Sequence, residues 1–156
     1  MKLKLIISFV STIFIYGCSY YSITEEELVH QLKDHQNAIE EFQYIPIGGI
    51  ASMFFSDRYK SNQIQKILCY NSDKKKVYLY PDKNTELEIT KKSDNDVVKM
   101  YFDTAFLVGN KIVGLRSRLI QSMVREVNIN DIKGIEIYAE FAKTKDYKEN
   151  NKDKKE

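Results

Sequence analysis

Two hydrophobic periods divide this chain. After Thr24 the apolar residues recur at helical spacing: Leu28, Leu32, Ile39 and Phe42 fall at intervals of four, seven and three, with His35 in the vacant place on the same face. From Gln63 onward the pattern is strand-like. Glu86-Leu87-Glu88-Ile89-Thr90 alternates cleanly, with Leu87 and Ile89 facing in. Ile64 to Tyr70 and Val77 to Tyr80 flank the polar turn Asn71-Ser72-Asp73-Lys74, and Pro81-Asp82-Lys83-Asn84 makes the next turn. Val98, Met100, Phe102 and Phe106 share one face of a long strand, opposite Lys99, Tyr101 and Asp103. Gly109-Asn110 tolerates positive φ and turns the chain. The return strand carries Val113, Leu115 and Leu119 on one face and Arg116 and Arg118 on the other. Val127 and Ile129 end a further strand, Asn130 to Lys133 makes a helical turn, and Ile135, Ile137, Ala139 and Phe141 alternate in the last strand.

The helix has a start signal of its own. Thr24 and Glu27 form a capping box, and Glu25, Glu26 and Glu27 put negative charge at the positive end of the helix dipole. His30 and His35 are five apart and lie on different sides of that helix, so they cannot chelate one metal; His35 reads as a histidine at the core edge. Pro46 ends the helical pattern, and Gly48-Gly49 frees the chain to turn into a short apolar stretch ending in Met53, Phe54 and Phe55. That stretch either plugs one end of the core or lines a mouth for a hydrophobic ligand. The segment 143–156 has no apolar periodicity and is packed with Lys, Asp, Glu and Asn, which predicts a disordered polar tail.

The N-terminus changes the picture most. Lys2 and Lys4 precede an apolar run from Leu5 to Ile15, and the run closes on Ile15-Tyr16-Gly17-Cys18. The run is shorter than the ~20 residues of a membrane-spanning helix. This segment resembles the signal peptide and lipobox of bacterial lipoproteins. The resemblance implies that residues 1–17 are removed and that Cys18 is acylated and becomes the first residue. The protein then holds to the membrane through Cys18, since each buried methylene contributes ~0.8 kcal/mol. Ser19, rather than Asp, follows the cysteine. By the sorting rule of enteric-type envelopes that favours the outer over the inner membrane.

Residues 18–142 then make one lipid-anchored domain, because a 156-residue chain less its signal has room for a single core. The chain holds 24 basic and 22 acidic residues, and two of the basic ones fall in the signal. The balanced remainder argues against nucleic acid as a partner. With Cys18 acylated, Cys69 is the single thiol left; it sits in the apolar run Lys66-Ile67-Leu68-Cys69-Tyr70 and reads as a small buried hydrophobe.

The order of strands from about Thr85 to Phe141, ending in Val127-Asn128-Ile129-Asn130-Asp131-Ile132-Lys133-Gly134-Ile135-Glu136-Ile137, resembles small envelope lipoproteins built on an SH3-like or Sm-like β-barrel. The resemblance implies a mainly β fold, an N-terminal helix followed by an antiparallel sheet that closes into a barrel. In it Asp131 starts the helical turn and Ile132 plugs the barrel end. Tyr21-Ser22-Ile23-Thr24-Glu25-Glu26-Glu27-Leu28, with Leu32 and His35, is similar to the opening of periplasmic lipoproteins with a tubular lipid-binding fold, but this chain lacks their long second helix.

Motifs of catalysis are missing from the sequence: no Gly-x-Ser-x-Gly, His-Glu-x-x-His, Cys-x-x-Cys or phosphate-cradling Gly-rich loop is present. We therefore expect a protein that is no enzyme and needs no cofactor or metal. The first expectation for its work is a structural or protein-interaction module for an unidentified envelope partner. Its candidate contact surface is the strand face with Tyr101, Asp103, Arg116 and Arg118, because Tyr and Arg concentrate in binding hot spots; the other reading of that face is a solvated sheet. The alternative from a different class is a carrier or sensor of lipid or another hydrophobic ligand, lined by Met53, Phe54 and Phe55.

Overall fold

A computed structural model of the chain describes residues 19–35, 39–42, 58–120, 122–140 and 143–148. The lipobox with Cys18, the stretch with Met53, Phe54 and Phe55, Phe141 and the residues past 148 lie outside these. The described chain is mainly β. In order it forms β1 (Ser19–Ser22), α1 (Glu25–Lys33), β2 (Ile39–Phe42), β3 (Arg58–Ser61), β4 (Ile67–Tyr70), β5 (Lys76–Tyr80), β6 (Glu86–Lys91) and β7 (Val97–Tyr101). A 3-10 turn at Phe102–Thr104 leads to β8 (Phe106–Val108), β9 (Lys111–Leu115) and β10 (Val124–Asn128). A second 3-10 turn at Ile129–Asp131 leads to β11 (Ile132–Ala139) and β12 (Lys143–Asp146).

Seven strands make one antiparallel sheet in the order β12-β5-β4-β1-β11-β6-β7; β10-β9-β8 make a second sheet and β2-β3 a third. The alternation read from sequence sets which side of the large sheet is dry. Ile67, Cys69, Leu79, Leu87, Ile89, Met100 and Ile137 are fully buried, joined by Ile135 and Ala139. The helix covers this core with Leu28 and Leu32. Each such side chain contributes roughly 1.5–3 kcal/mol on leaving water. The capping box is present as expected: the Glu27 amide donates to Thr24 Oγ1 at 3.2 Å, and Glu27 Oε2 accepts from the Thr24 amide at 3.5 Å. The turns also hold, with Lys74 at φ 59 and Gly109 at φ 59.

Long-range pairing overrides the local pattern in several places. The helix stops at Lys33, where the Asp34 amide bonds back to His30; Ile39–Phe42 pair instead with Arg58–Ser61 as a strand, and His35 is exposed rather than at the core edge. Ser19–Ser22 is an inner strand between β4 and β11. Where β1 ends, the Gln31 side chain takes its place beside β4. Its amide donates to Leu68 O at 3.1 Å and its oxygen accepts from Leu68 N at 2.8 Å, so the exposed backbone pair stays satisfied.

The expected barrel does not close among the described residues. The long strand breaks at the 3-10 turn after Tyr101, which carries Phe102 into the core and sends β8 into a separate sheet. On β9 the facing is the reverse of the expected one: Ile112 is buried and Val113 and Leu115 are only half-buried. Gly114 is the reason the inward side can run so close, since a Cβ there would come within 2.6 Å of Met100 Sδ. Asp131 ends the second 3-10 turn rather than starting it. Asn128 caps that turn, the Asp131 carboxylate accepts from the amide and hydroxyl of Ser93 at 2.9 Å each, and Ile132 is buried. The segment expected to be disordered supplies β12, paired with β5 from Lys143↔Tyr80 to Asp146↔Val77.

Candidate functional site

The break after β7 creates the most elaborate polar cluster among the described residues. Arg118 follows the end of β9, where the alternation has lapsed, and its side chain turns inward to lie 7 % exposed. Its Nη2 donates to Asp103 Oδ1 at 2.7 Å and its Nε to Asp103 Oδ2 at 3.2 Å, a fork on a carboxylate that sits in the 3-10 turn. Nη2 also donates to the Lys83 carbonyl. The guanidinium lies 3.8 Å from the Tyr101 ring centroid and 5.3 Å from that of Tyr59, whose hydroxyl donates to Asp103 Oδ2 at 3.1 Å.

Asn62 completes the floor. Its side-chain amide donates to the Phe102 and Ala105 carbonyls at 2.8 and 3.0 Å, its oxygen accepts from Ile64 N at 3.0 Å, and its own amide donates to Asp103 O. Thr104 joins the turn to β9 by donating to Tyr101 O and accepting from Leu115 N, both at 2.9 Å. Beside this floor opens a cleft of about 260 Å³ whose walls come from 61–65, 81–83 and Asp103. Gln63, on its rim, holds a φ of 57, in the left-handed region that costs roughly 1–2 kcal/mol for a residue with a Cβ.

The structure thus gathers Tyr101, Asp103 and Arg118 but not as a flat exposed face. Asp103 and Arg118 neutralise each other inside, which corrects Arg118 from a contact residue to a buried support. Arg116 stands apart, half-exposed, with Nη1 2.8 Å from Glu86 Oε1. Tyr59 and Asn62 went unnoticed in the sequence because their partners are 40 to 44 residues away and nothing local marks them. The chemistry on offer is hydrogen bonding from the rim. Cys69 is far from nucleophilic chemistry: it is fully buried, and burial pushes its thiol up to about 12.

Among the described residues, no group of three or more His, Cys, Asp and Glu side chains could hold a metal ion, and no helix is long and apolar enough to cross a membrane. No protein-family model matches the chain, and neither does a curated protein or a solved structure.

Proposed function

We propose that this chain is a lipid-anchored protein of the bacterial cell envelope, at the outer membrane, whose β domain acts as a non-catalytic structural or interaction module. The observation that carries the reading is the place of β1. Ser19, the residue after the lipobox cysteine, is already hydrogen-bonded into an inner strand of the large sheet, opposite Ala139. A domain joined to acyl chains without a spacer is held against the bilayer, which suits a protein that positions a partner rather than one that reaches for a distant one. The cleft beside Asn62 and Asp103 supplies a rigid rim of hydrogen-bonding groups for such a partner, since its floor is fully committed to internal bonds.

Three measurements test this. Cys18→Ala should leave the protein either soluble or uncleaved, whereas continued need of detergent for its extraction defeats the anchor. A photocrosslinker at exposed Gln65, compared with one at Asn95 on the distant β6–β7 turn, should capture an envelope protein from the cleft alone. Equal profiles from the two sites remove the cleft as the contact. A stoichiometric lipid carried by the purified Cys18→Ser chain would turn the reading toward a hydrophobic carrier.

A further inference from the structure

Pairing of β12 with β5 brings together charges that are far apart in the sequence. Residues that pair across antiparallel strands point to the same side. Val77 and Leu79 are buried, so Tyr78 and Tyr80 face outward, and with them their partners Lys145 and Lys143. Lys66 adds its Nζ 4.4 Å over the Tyr78 ring, and Lys76 lies 5.4 Å from the Tyr70 ring. The Tyr147 ring stacks edge-on against Tyr78 at 5.5 Å. The outer face of β4, β5 and β12 is therefore a strip of lysines interleaved with tyrosines. Acidic groups offset only part of it: Glu27 is taken up by Lys76 and the Tyr70 hydroxyl, exposed Asp73 lies in the turn beside Lys74 and Lys75, and Asp146 pairs with Val77 and so turns to the other side of β12, which leaves Lys66, Lys143 and Lys145 on the strip.

The strip also has an orientation. β4 runs antiparallel to β1 and leaves it at Tyr70, opposite Ser22, so the turn bearing exposed Lys74 and Lys75 lies toward the Ser19 end of β1. Tyr147 N donates to Lys76 O, which brings the end of β12 to the same side. We infer that this outer face of β4, β5 and β12 is a docking surface for the anionic headgroups of the bilayer. Tyrosine rings favour the headgroup level of a membrane, and each lysine near an anionic surface adds to the attraction. The balanced charge of the chain from residue 18 lacks the broad field that nucleic acid binding uses, whereas a local strip is enough for a surface the chain already touches. The inference builds on the anchored reading, since a domain held at Cys18 brings this strip to the lipid.

The test uses the chain from residue 18 carrying Cys18→Ser, which contains the whole described sheet and core and has no acyl chains. It therefore probes the strip alone, while fractionation of Cys18→Ala probes the anchor alone. Sedimentation with phosphatidylcholine vesicles containing phosphatidylglycerol should carry the protein down, pure phosphatidylcholine should not, and added salt should release it. Neutralising two lysines by Lys143→Gln with Lys145→Gln should weaken the binding about thirtyfold at low salt. Lys74→Gln with Lys75→Gln, confined to an exposed turn that leaves every strand pair intact, should do the same. Absence of binding, equal binding to both vesicle types, or indifference to both double substitutions overturns the proposal. Equal retention of the chain on polyglutamate would assign the strip to an acidic protein and overturn it as well.

Discussion

Arg118→Ala is the perturbation on which the cluster below the cleft can be judged. Arg118 is 7 % exposed, forks onto Asp103 at 2.7 and 3.2 Å and supports the Lys83 carbonyl. Its removal leaves the Asp103 carboxylate, itself only 19 % exposed, with the Tyr59 hydroxyl as its remaining side-chain donor in the cluster. Breaking one side of a buried ion pair costs about 3–5 kcal/mol, chiefly through the orphaned charge. The lost hydrogen bond to the Lys83 carbonyl and the lost stacking on Tyr101 act in the same direction. Against a total stability of roughly 5–15 kcal/mol, that is a large fraction. Urea unfolding, followed by the fluorescence of the 11 tyrosines in a chain without tryptophan, measures it directly. The same substitution in an Asp103→Ala background should cost much less, because no charge is left uncompensated. A loss under about 1 kcal/mol for Arg118→Ala alone, the range of an exposed ion pair, would refute the reasoning.

Three further outcomes follow from the packing. Burial pushes the Glu27 carboxyl up, but hydrogen bonds from Thr24 and Tyr70 and the charge of Lys76 outweigh it and hold the group below its usual range. Its contribution is therefore complete above the ordinary glutamate value of about 4.3 and is lost as pH falls through the lower folded value; the stability gap between parent and Glu27→Gln should close over that acid interval and stay constant above it. Gly114→Ala should destabilise by about 1–3 kcal/mol, because the new Cβ would meet Met100 Sδ at 2.6 Å and Cβ at 3.3 Å. The cost should fall when Met100→Ala is added, and equal costs in both backgrounds would exclude that contact as the cause. Cys69, buried and with its thiol pushed up to about 12, should resist an aromatic disulfide reagent at neutral pH until denaturant opens the sheet; rapid native labelling would contradict the burial.

Local signals were legible in the sequence because a few neighbouring residues settle them. The capping box of Thr24 and Glu27 rests on atoms three residues apart. The alternation through Leu87 and Ile89, the turns at 71–74 and 109–110 and the inward run Ile135, Ile137 and Ala139 rest on the two-residue period of a strand and on backbone angles that few residues accept. Cys69 was readable for the same reason, as part of an apolar run.

The tertiary structure decided whatever depends on a partner far along the chain. Ser19–Ser22 is short and half polar, and only the availability of β11 on one side and β4 on the other makes it an inner strand. Lys143–Asp146 has the composition of a tail and becomes a strand because β5 offers an open edge. The facing of β9 turned on Gly114, which contributes nothing to a hydrophobic pattern yet admits the close approach to Met100. Arg118 looked like a surface residue because arginine is seldom buried. Its burial became affordable once the 3-10 turn aimed the Asp103 carboxylate at it, and the bend and the pairing are set by contacts that no local window contains.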